Sequence, residues 1–178
     1  MEILDLYTAD RERTGKTIVR GEEEAPEGFY RLVVHICIFN EQGQLLTQQR
    51  QPFKIGWPDK WDISVGGSAV AGENSQMAAE RETREELGLS FDFSKERPFM
   101  TIHWSGGFDD YYVLTKNVDL ASLHLQEEEV QAARWATKEE ILQMIDDDQF
   151  VPYAKGMIEM LFHFQSKRSA LNLKGPIA

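Results

Sequence analysis

A helix-length segment near the middle of the chain carries the residues whose types and spacing could do chemistry. Read at 3.6 residues per turn over about 75–87, it places Glu82, Glu85 and Glu86 at i, i+3 and i+4, on one face. Carboxylates this close repel each other unless a cation lies among them. Oxygen ligands at this density suit Mg²⁺ or Mn²⁺, and Mg²⁺ commonly binds substrate phosphates as well. The segment therefore predicts a divalent-cation site that serves a phosphorylated substrate.

A solvated acidic helix face is the alternative interpretation of this segment. On such a face Glu80 would pair with Arg84, and Arg81 with Glu85, each at i,i+4. That interpretation does not explain why two glycines (66–67) and a glutamate precede the helix, or why a glycine ends it. The combination favours a functional site.

The segment 67–89 resembles the signature of the Nudix hydrolases, G-x5-E-x7-R-E-U-x-E-E-x-G-U, in which U is a bulky aliphatic residue. The chain matches every fixed position: Gly67, Glu73, Arg81, Glu82, Glu85, Glu86 and Gly88. The final aliphatic position is Leu89, whereas the first one holds Thr83. Because Thr83 lies in the stripe of the helix expected to pack on a sheet, this departure concerns helix packing rather than cation binding.

The resemblance implies a metal-dependent pyrophosphohydrolase that cleaves a nucleoside diphosphate linked to another moiety, or a related nucleotide, at a P–O–P bond. The implied cofactor is Mg²⁺ or Mn²⁺, which acts as a Lewis acid, activates water and orients the substrate. By motif position, the expected cation ligands are the carboxylates of Glu82, Glu85 and Glu86 and the backbone carbonyl of Gly66.

The resemblance also implies roles for the neighbouring residues. Four residues are expected to be catalytic: Arg81, Glu82, Glu85 and Glu129. Arg81 would orient a glutamate through a fork-shaped hydrogen bond, and Glu73 would lie behind the ligands. Glu82 is one candidate for the general base. Glu128 or Glu129, just before the segment VQAARW, is another candidate base or ligand, with a solvated acidic loop as the alternative.

Three aromatic residues outside the motif are candidates for substrate binding. Phe53 and Trp57 belong to the loop QPFKIGWPDK (51–60), and Trp104 ends an extended segment. Aromatic rings on a loop before the motif could stack on a base or other substrate ring. They could equally cover the edge of the sheet, and the sequence leaves both interpretations open.

Two other functions compete with hydrolysis. The amino-terminal residues, the segment LLTQQR and the segment WPDKWDIS also resemble the branch related to isopentenyl-diphosphate isomerase. Isomerisation would require a cysteine after the WD strand, where this chain has Val65 and Gly66; Cys37 lies elsewhere. A non-catalytic Nudix module that binds a nucleotide would be expected to have lost motif carboxylates, and all of them are present here. Hydrolysis is therefore the preferred prediction.

Composition limits the partners. The formal net charge of -11 disfavours nucleic-acid polymers and anionic membranes, but not a small phosphorylated substrate, because a bound cation inverts the local field. A single cysteine, Cys37, excludes an intrachain disulfide and fits a reducing cytoplasm, and its strand context predicts a buried structural thiol. No signal-peptide pattern and no run of about 20 apolar residues appears, so a cytoplasmic protein is predicted. The sequence does not decide whether the protein forms a homodimer.

The elements around the motif predict an α/β fold, specifically a Nudix α/β/α sandwich with a mixed sheet and an amino-terminal β-hairpin. The length of 178 residues fits a single Nudix domain over 1–178, with a core of about 30–165 and a hairpin of about 2–20. Extended segments are expected at 2–7, 16–20, 30–39, 44–50, 61–65, 91–93, 99–104 and 111–115. Helices are expected at 75–87, from Thr137 onward, and at about 152–165.

Overall fold

The computed structural model describes residues 2–22 and 24–165. The chain opens with an antiparallel hairpin of β1 (Ile3–Tyr7) and β2 (Arg13–Val19). The prediction started β2 at residue 16, three residues too late. The strand begins earlier because Arg13 pairs with Tyr7 and the Thr14 hydroxyl donates to the Leu6 carbonyl.

A mixed sheet forms the centre of the fold. Within the described residues it has seven strands: β3 (Arg31–Phe39), β4 (Leu45–Arg50), β5 (Trp61–Asp62), β6 (Val65–Ser68), β7 (Met100–Trp104), β8 (Gly107–Thr115) and β9 (Val130–Ala136). β3 runs parallel to β8 over its whole length. On its other edge β3 pairs with β6, and it meets β4 only where Phe39 pairs with Leu45. β4 lies between β5 and β9, so the sheet is split between β3 and β4.

Ser64 bridges this split. Its hydroxyl accepts a hydrogen bond from the Ile38 N–H at 2.9 Å and donates to the Leu46 carbonyl at 2.5 Å. A buried backbone N–H or carbonyl without a partner is costly, so this one side chain replaces the missing ladder bonds between β3 and β4. The prediction of one strand over 61–65 is therefore wrong. The chain changes its pairing partner from β4 to β3 at this point, which leaves two short strands.

Three α-helices lie in the described residues: α1 (Ser75–Leu87), α2 (Lys138–Asp146) and α3 (Lys155–Phe164). The predicted bounds of α1 are confirmed, because local signals set both ends. The Asn74 side chain accepts from the Met77 N–H at 2.9 Å, and Gly88 ends the helix at φ 71°. Thr137 caps α2 in a capping box with Glu140.

Other sequence expectations also differ from the structure. β8 begins at Gly107, not at residue 111, because its first residues pair with β3 and β7. Helix α3 begins after Pro152, since the Val151 N–H donates to the Trp61 carbonyl and keeps that segment extended. β9 was not predicted, because its sequence VQAARWA has few β-branched residues; antiparallel pairing with β4 makes it a strand. The segment 91–93 is not a strand. There Phe93 instead packs edge-on against Tyr112.

Both faces of the sheet are covered, which confirms the predicted α/β/α sandwich. Along β3 the side chains alternate between two cores. Those facing α1 are Leu32, Val34, Ile36 and Ile38, and those facing α2 and α3 are Cys37 and Phe39. Cys37 is fully buried, and burial raises the pKa of its thiol, as expected for a structural cysteine. In the described part of the chain, no helix has the length and apolar character needed to cross a bilayer.

The hairpin docks onto two parts of the domain: strand β8 of the sheet and the segment that leads into α1. Arg11 makes a bidentate ion pair with the buried Asp110, with N–O distances of 3.0 and 2.6 Å. The Ala71 N–H donates to the Ile3 carbonyl at 2.7 Å, and the Gly72 N–H donates to Asp5 Oδ2 at 2.8 Å. The hairpin therefore helps to position the start of the motif helix.

Candidate active site

Arg81 is the centre of the acidic cluster on α1. Its Nε and Nη2 donate to the two carboxylate oxygens of Glu73 at 2.8 and 3.0 Å, and Nη2 also donates to the Ser68 carbonyl at 3.0 Å. Its Nη1 lies 3.0 Å from Glu82 Oε1 and 2.9 Å from Glu85 Oε2. A guanidinium has five N–H groups, so these contacts use its full donor capacity. The fork expected of Arg81 is present, and the glutamate it holds is Glu73.

The three glutamates of the motif face differ in burial. Glu82 and Glu86 are only 7% and 5% exposed, whereas the side chain of Glu85 is 45% exposed. Gly67 explains how Glu82 fits against β6. A Cβ atom at position 67 would lie 2.0 Å from Glu82 Oε1, so any other residue here would displace that carboxylate from its present position beside Arg81. The signature glycine thus lets Glu82 lie where it does.

Burial changes the acidity of the two inner carboxyls. It raises the pKa of Glu82 to about 7, although the neighbouring Arg81 charge acts in the opposite direction. Burial also raises the pKa of Glu86 well above its ordinary range, and the charge of Glu82 adds to this effect. Near neutral pH the pair is therefore stabilised either by protons or by a cation.

The oxygen atoms of this acidic cluster are of the chemical type that binds divalent cations. Within residues 2–22 and 24–165, no three His, Cys, Asp or Glu side chains converge tightly enough to hold a metal ion in this conformation. Arg81 Nη1 lies between the carboxylates of Glu82 and Glu85, and Gln48 donates to Glu86 at 2.8 Å. Carboxylate oxygens and the buried, unpartnered Gln48 Oε1 are nevertheless the hard donors that Mg²⁺ and Mn²⁺ prefer.

The other residues proposed for catalysis lie around this cluster. Gly66 belongs to β6, opposite His35 of β3. The Gln126 N–H donates to the Glu86 carbonyl at 3.1 Å, which brings the turn that carries Glu129 to the end of α1. Glu129 forms an ion pair with Lys54 of the loop 51–60, a contact the sequence did not suggest.

The candidate aromatic residues do not lie together. Phe53 and Trp57 are exposed on the loop 51–60, which the Lys54–Glu129 pair holds near α1. Trp104 lies on β7, separated from β4 by β3 and β8, and its indole N–H donates to Asp109 at 2.8 Å.

Cavity volume does not mark the acidic cluster, and the signature motif does not include every residue that contacts it. A cavity of about 710 Å³ lies beside Gln44, Thr137 and Met160, and no motif glutamate lines it. Gln48 lies outside the signature segment 67–89, yet it contacts Glu86. Alternation along β4 from the apolar Leu46 is the signal that could have placed it on the α1 face of the sheet.

Without divalent cations, the free energy of unfolding is expected to fall as the pH rises from about 5 to 8. Glu82 titrates near 4.5 ordinarily and near 7 in the folded protein, so its stabilising effect is complete below 4.5 and lost as pH passes 7. That difference corresponds to roughly 3 kcal/mol. Thermal melts in a chelator across this range measure it. Glu82→Gln should flatten the dependence, and a melting temperature that rises with pH in the wild type would contradict the assignment.

Thr83→Val is expected to change the free energy of unfolding by less than about 1 kcal/mol, or to stabilise the protein slightly. Thr83 is fully buried, and its hydroxyl donates to the Ala79 carbonyl, four residues earlier, at 2.7 Å. That carbonyl keeps its helical partner when the hydroxyl is removed, so nothing buried is left unpaired. Thermal unfolding is the measurement, with Thr83→Ala as a control that should cost more because it opens a cavity. A loss for Thr83→Val as large as that for Thr83→Ala would contradict this account.

Comparison with known proteins agrees with this geometry. Residues 29–159 match the family model of the NUDIX domain. An uncharacterized Nudix hydrolase of Listeria monocytogenes is 54% identical over 153 residues, which cover 86% of this chain and 90% of that protein. An isopentenyl-diphosphate delta-isomerase of Schizosaccharomyces pombe is 29% identical over 170 residues, covering 82% and 72% respectively. A crystal structure from Deinococcus radiodurans superposes with a TM-score of 0.72 at 28% identity and covers 91% of this chain and 98% of its own. The chain therefore belongs to the Nudix hydrolase family, whose members act on pyrophosphate bonds.

Proposed function

We propose that this Nudix enzyme is a cation-dependent pyrophosphohydrolase that cleaves a nucleoside diphosphate linked to another group, or a related nucleotide. The observation that supports this most is the buried pair Glu82 and Glu86, one helical turn apart, with Arg81 fixed beside them. Two carboxyls whose pKa values burial raises bind a divalent cation in exchange for protons as the pH approaches neutrality.

The residues proposed to hold Mg²⁺ or Mn²⁺ are Glu82, Glu85, Glu86 and the backbone carbonyl of Gly66. When bound, such a cation neutralises the charge of a pyrophosphate and lowers the pKa of a water molecule. Arg81, anchored on Glu73, keeps the carboxylate of Glu82 from rotating away. The Glu85 side chain is 45% exposed, so its carboxylate is accessible to a substrate from solvent.

Two residues are proposed as alternative general bases. Glu82 is one candidate because it is buried among the motif glutamates and held in place by Arg81. Glu129 suits the role only when Lys54 releases it, because the two side chains form an ion pair. The pH–rate profiles of Glu82→Gln and Glu129→Gln separate them. Loss of the base removes the lower-pH limb of the profile, whereas loss of a neighbouring residue only shifts it.

The loop 51–60 is proposed to contact the substrate. Phe53 and Trp57 are exposed there, and stacking on an aromatic ring contributes about 1–3 kcal/mol per base in nucleotide complexes. Alanine at the residue that stacks should raise KM for a nucleotide and spare kcat. Trp104→Ala is the matched comparison, since Trp104 lies on β7 at the far edge of the sheet.

Isomerisation of isopentenyl diphosphate is the second candidate, supported by the similarity to the Schizosaccharomyces pombe isomerase. Cys37, the sole cysteine of the chain, is fully buried on the α2–α3 face of the sheet. A thiol there cannot reach a substrate beside Glu82, which lies on α1.

A substrate panel tests the proposed function. Nucleotides, nucleoside diphosphate sugars and isopentenyl diphosphate are each incubated with Mg²⁺ or Mn²⁺, and the products are separated. We expect two phosphorylated fragments, or a monophosphate plus phosphate, from at least one nucleotide. Isomerisation of isopentenyl diphosphate without hydrolysis of any nucleotide would favour the second candidate. Binding without turnover of any compound would contradict both.

A further inference from the structure

The side-chain amide of Gln48 is the one polar group beside the glutamates, among the described residues, that is only half satisfied. Gln48 lies in the middle of β4, where its backbone faces Asp62 on one side and Ala133 on the other. The residue is 3% exposed, and its Nε2 donates to Glu86 Oε2 at 2.8 Å. Its Oε1 is buried and has no hydrogen-bond partner in the described residues.

Rotating the amide does not remove this deficit. A cation-bound Glu86 must be ionised, and an ionised carboxylate only accepts hydrogen bonds, so in that state the amino group faces Glu86 and the oxygen points elsewhere. A buried polar atom without a partner is costly, and such atoms are rare in native proteins.

The strand also prevents the side chain from escaping to solvent. β4 is paired along both edges, and the neighbouring inward residue Leu46 is fully buried in the core beneath α1. Gln48 therefore stays directed at Glu86 of α1, and the charged groups that act on that carboxyl are all acidic: Glu82, Glu129 and Asp62. The group that would satisfy Oε1 must be a hydrogen-bond donor beside these carboxyls.

We infer that Gln48 is a positioning residue of the cation site: its amino group orients Glu86, and its Oε1 accepts a hydrogen bond from the hydration shell of the divalent cation. This inference rests on the proposed function, because it requires a cation at these glutamates. Mg²⁺ in protein sites usually keeps several of its waters, which are strong donors. Side chains that orient metal ligands in this way commonly contribute 10–100-fold to metal affinity.

A purely structural role for Gln48 makes a different prediction. If the amide only filled space between β4 and α1, its loss would lower thermal stability and leave cation affinity unchanged. If it serves the cation, removing the unpaired oxygen relieves the cation-free protein and weakens cation binding. Affinity and stability therefore separate the two roles.

The experiment compares Gln48→Met with Gln49→Met by titrating Mn²⁺ without substrate, using electron paramagnetic resonance to measure free Mn²⁺. Gln49 is the matched control because it is the next residue of the same strand, so its side chain points to the opposite face, where it donates to Asp59. We expect Mn²⁺ affinity about 10–100-fold weaker in Gln48→Met and unchanged in Gln49→Met. The melting temperature of Gln48→Met in a chelator should be no lower than that of the control. Wild-type Mn²⁺ affinity in folded Gln48→Met would overturn the inference.

Gln48→Glu provides a second test of the inference if Gln48→Met does not fold. It retains an oxygen acceptor and adds a negative charge beside the cation, but it loses the amino group that orients Glu86, so Mn²⁺ affinity at pH 8 should differ clearly from that of the wild type. Unchanged affinity would show that position 48 is remote from the cation, and would overturn the inference.

Glu86→Gln in the same titration distinguishes a failure of the proposed cation site from a failure of the inference about Gln48. If Glu86→Gln binds Mn²⁺ normally, the proposed cation site itself fails; if only Gln48→Met does so, this inference alone fails.

Discussion

Replacing Glu86 by Gln is expected to lower turnover by at least about 100-fold and, at the same time, to make the cation-free protein more stable above pH 7. The substitution keeps the shape of the side chain and its contact with Gln48, but it removes the ionisable group of a residue that is only 5% exposed. Because burial and the Glu82 charge raise the pKa of Glu86 well above its ordinary range, ionising it opposes folding. A residue retained against stability is typical of a functional site.

Steady-state kinetics with varied Mg²⁺ and thermal melts in a chelator at pH 8 measure the two effects of Glu86→Gln. Glu80→Gln is the matched control, since it makes the same chemical change at an exposed position of the same helix. The control should leave both quantities near wild type. Near wild-type turnover and Mg²⁺ dependence in Glu86→Gln would show that the assignment of this carboxylate is wrong.

Replacing Arg81 by Met should destabilise the protein by about 3–5 kcal/mol at pH 8 and abolish most of its activity. Methionine keeps the length of the side chain but leaves Glu73 and Glu82 without their cationic partner in a largely buried setting. For a chain of this size such a loss lowers the melting temperature by roughly 6–20 °C. The loss should shrink toward pH 5, since Glu82, with a pKa of about 7, is then protonated and needs no partner.

Arg84→Met is the control for this substitution, because Arg84 is exposed in the next turn of α1. Its effect should stay within about 0.5 kcal/mol, as for most surface substitutions. Arg81→Lys keeps the charge but cannot form the fork with Glu73, so it should fall between wild type and Arg81→Met. Equal melting temperatures for Arg81→Met and Arg84→Met at pH 8 would rule out this account of the cluster.

Much of the fold was predictable where local signals are strong. The bounds of α1 follow from the cap at Asn74 and the glycine at position 88, and the start of α2 follows from the capping box at Thr137. Prediction failed where pairing with a distant strand decides the conformation. β9 is a strand because β4 lies beside it, and residues 61–65 divide because their partner changes. Strand propensity depends on such context more than helix propensity does.

For the site, the sequence by itself determined the family, the identity of the motif residues and the placement of the three motif-face glutamates on one helix, because a helical spacing of three or four residues is a local property. Only the tertiary structure decided that Arg81 forks onto Glu73, that Glu85 is exposed while Glu82 and Glu86 are buried, and that Gln48 contacts Glu86. Burial and long-range contacts depend on which strand packs under the helix, and no spacing within the motif encodes that. The raised pKa values of the inner carboxyls are consequences of this packing.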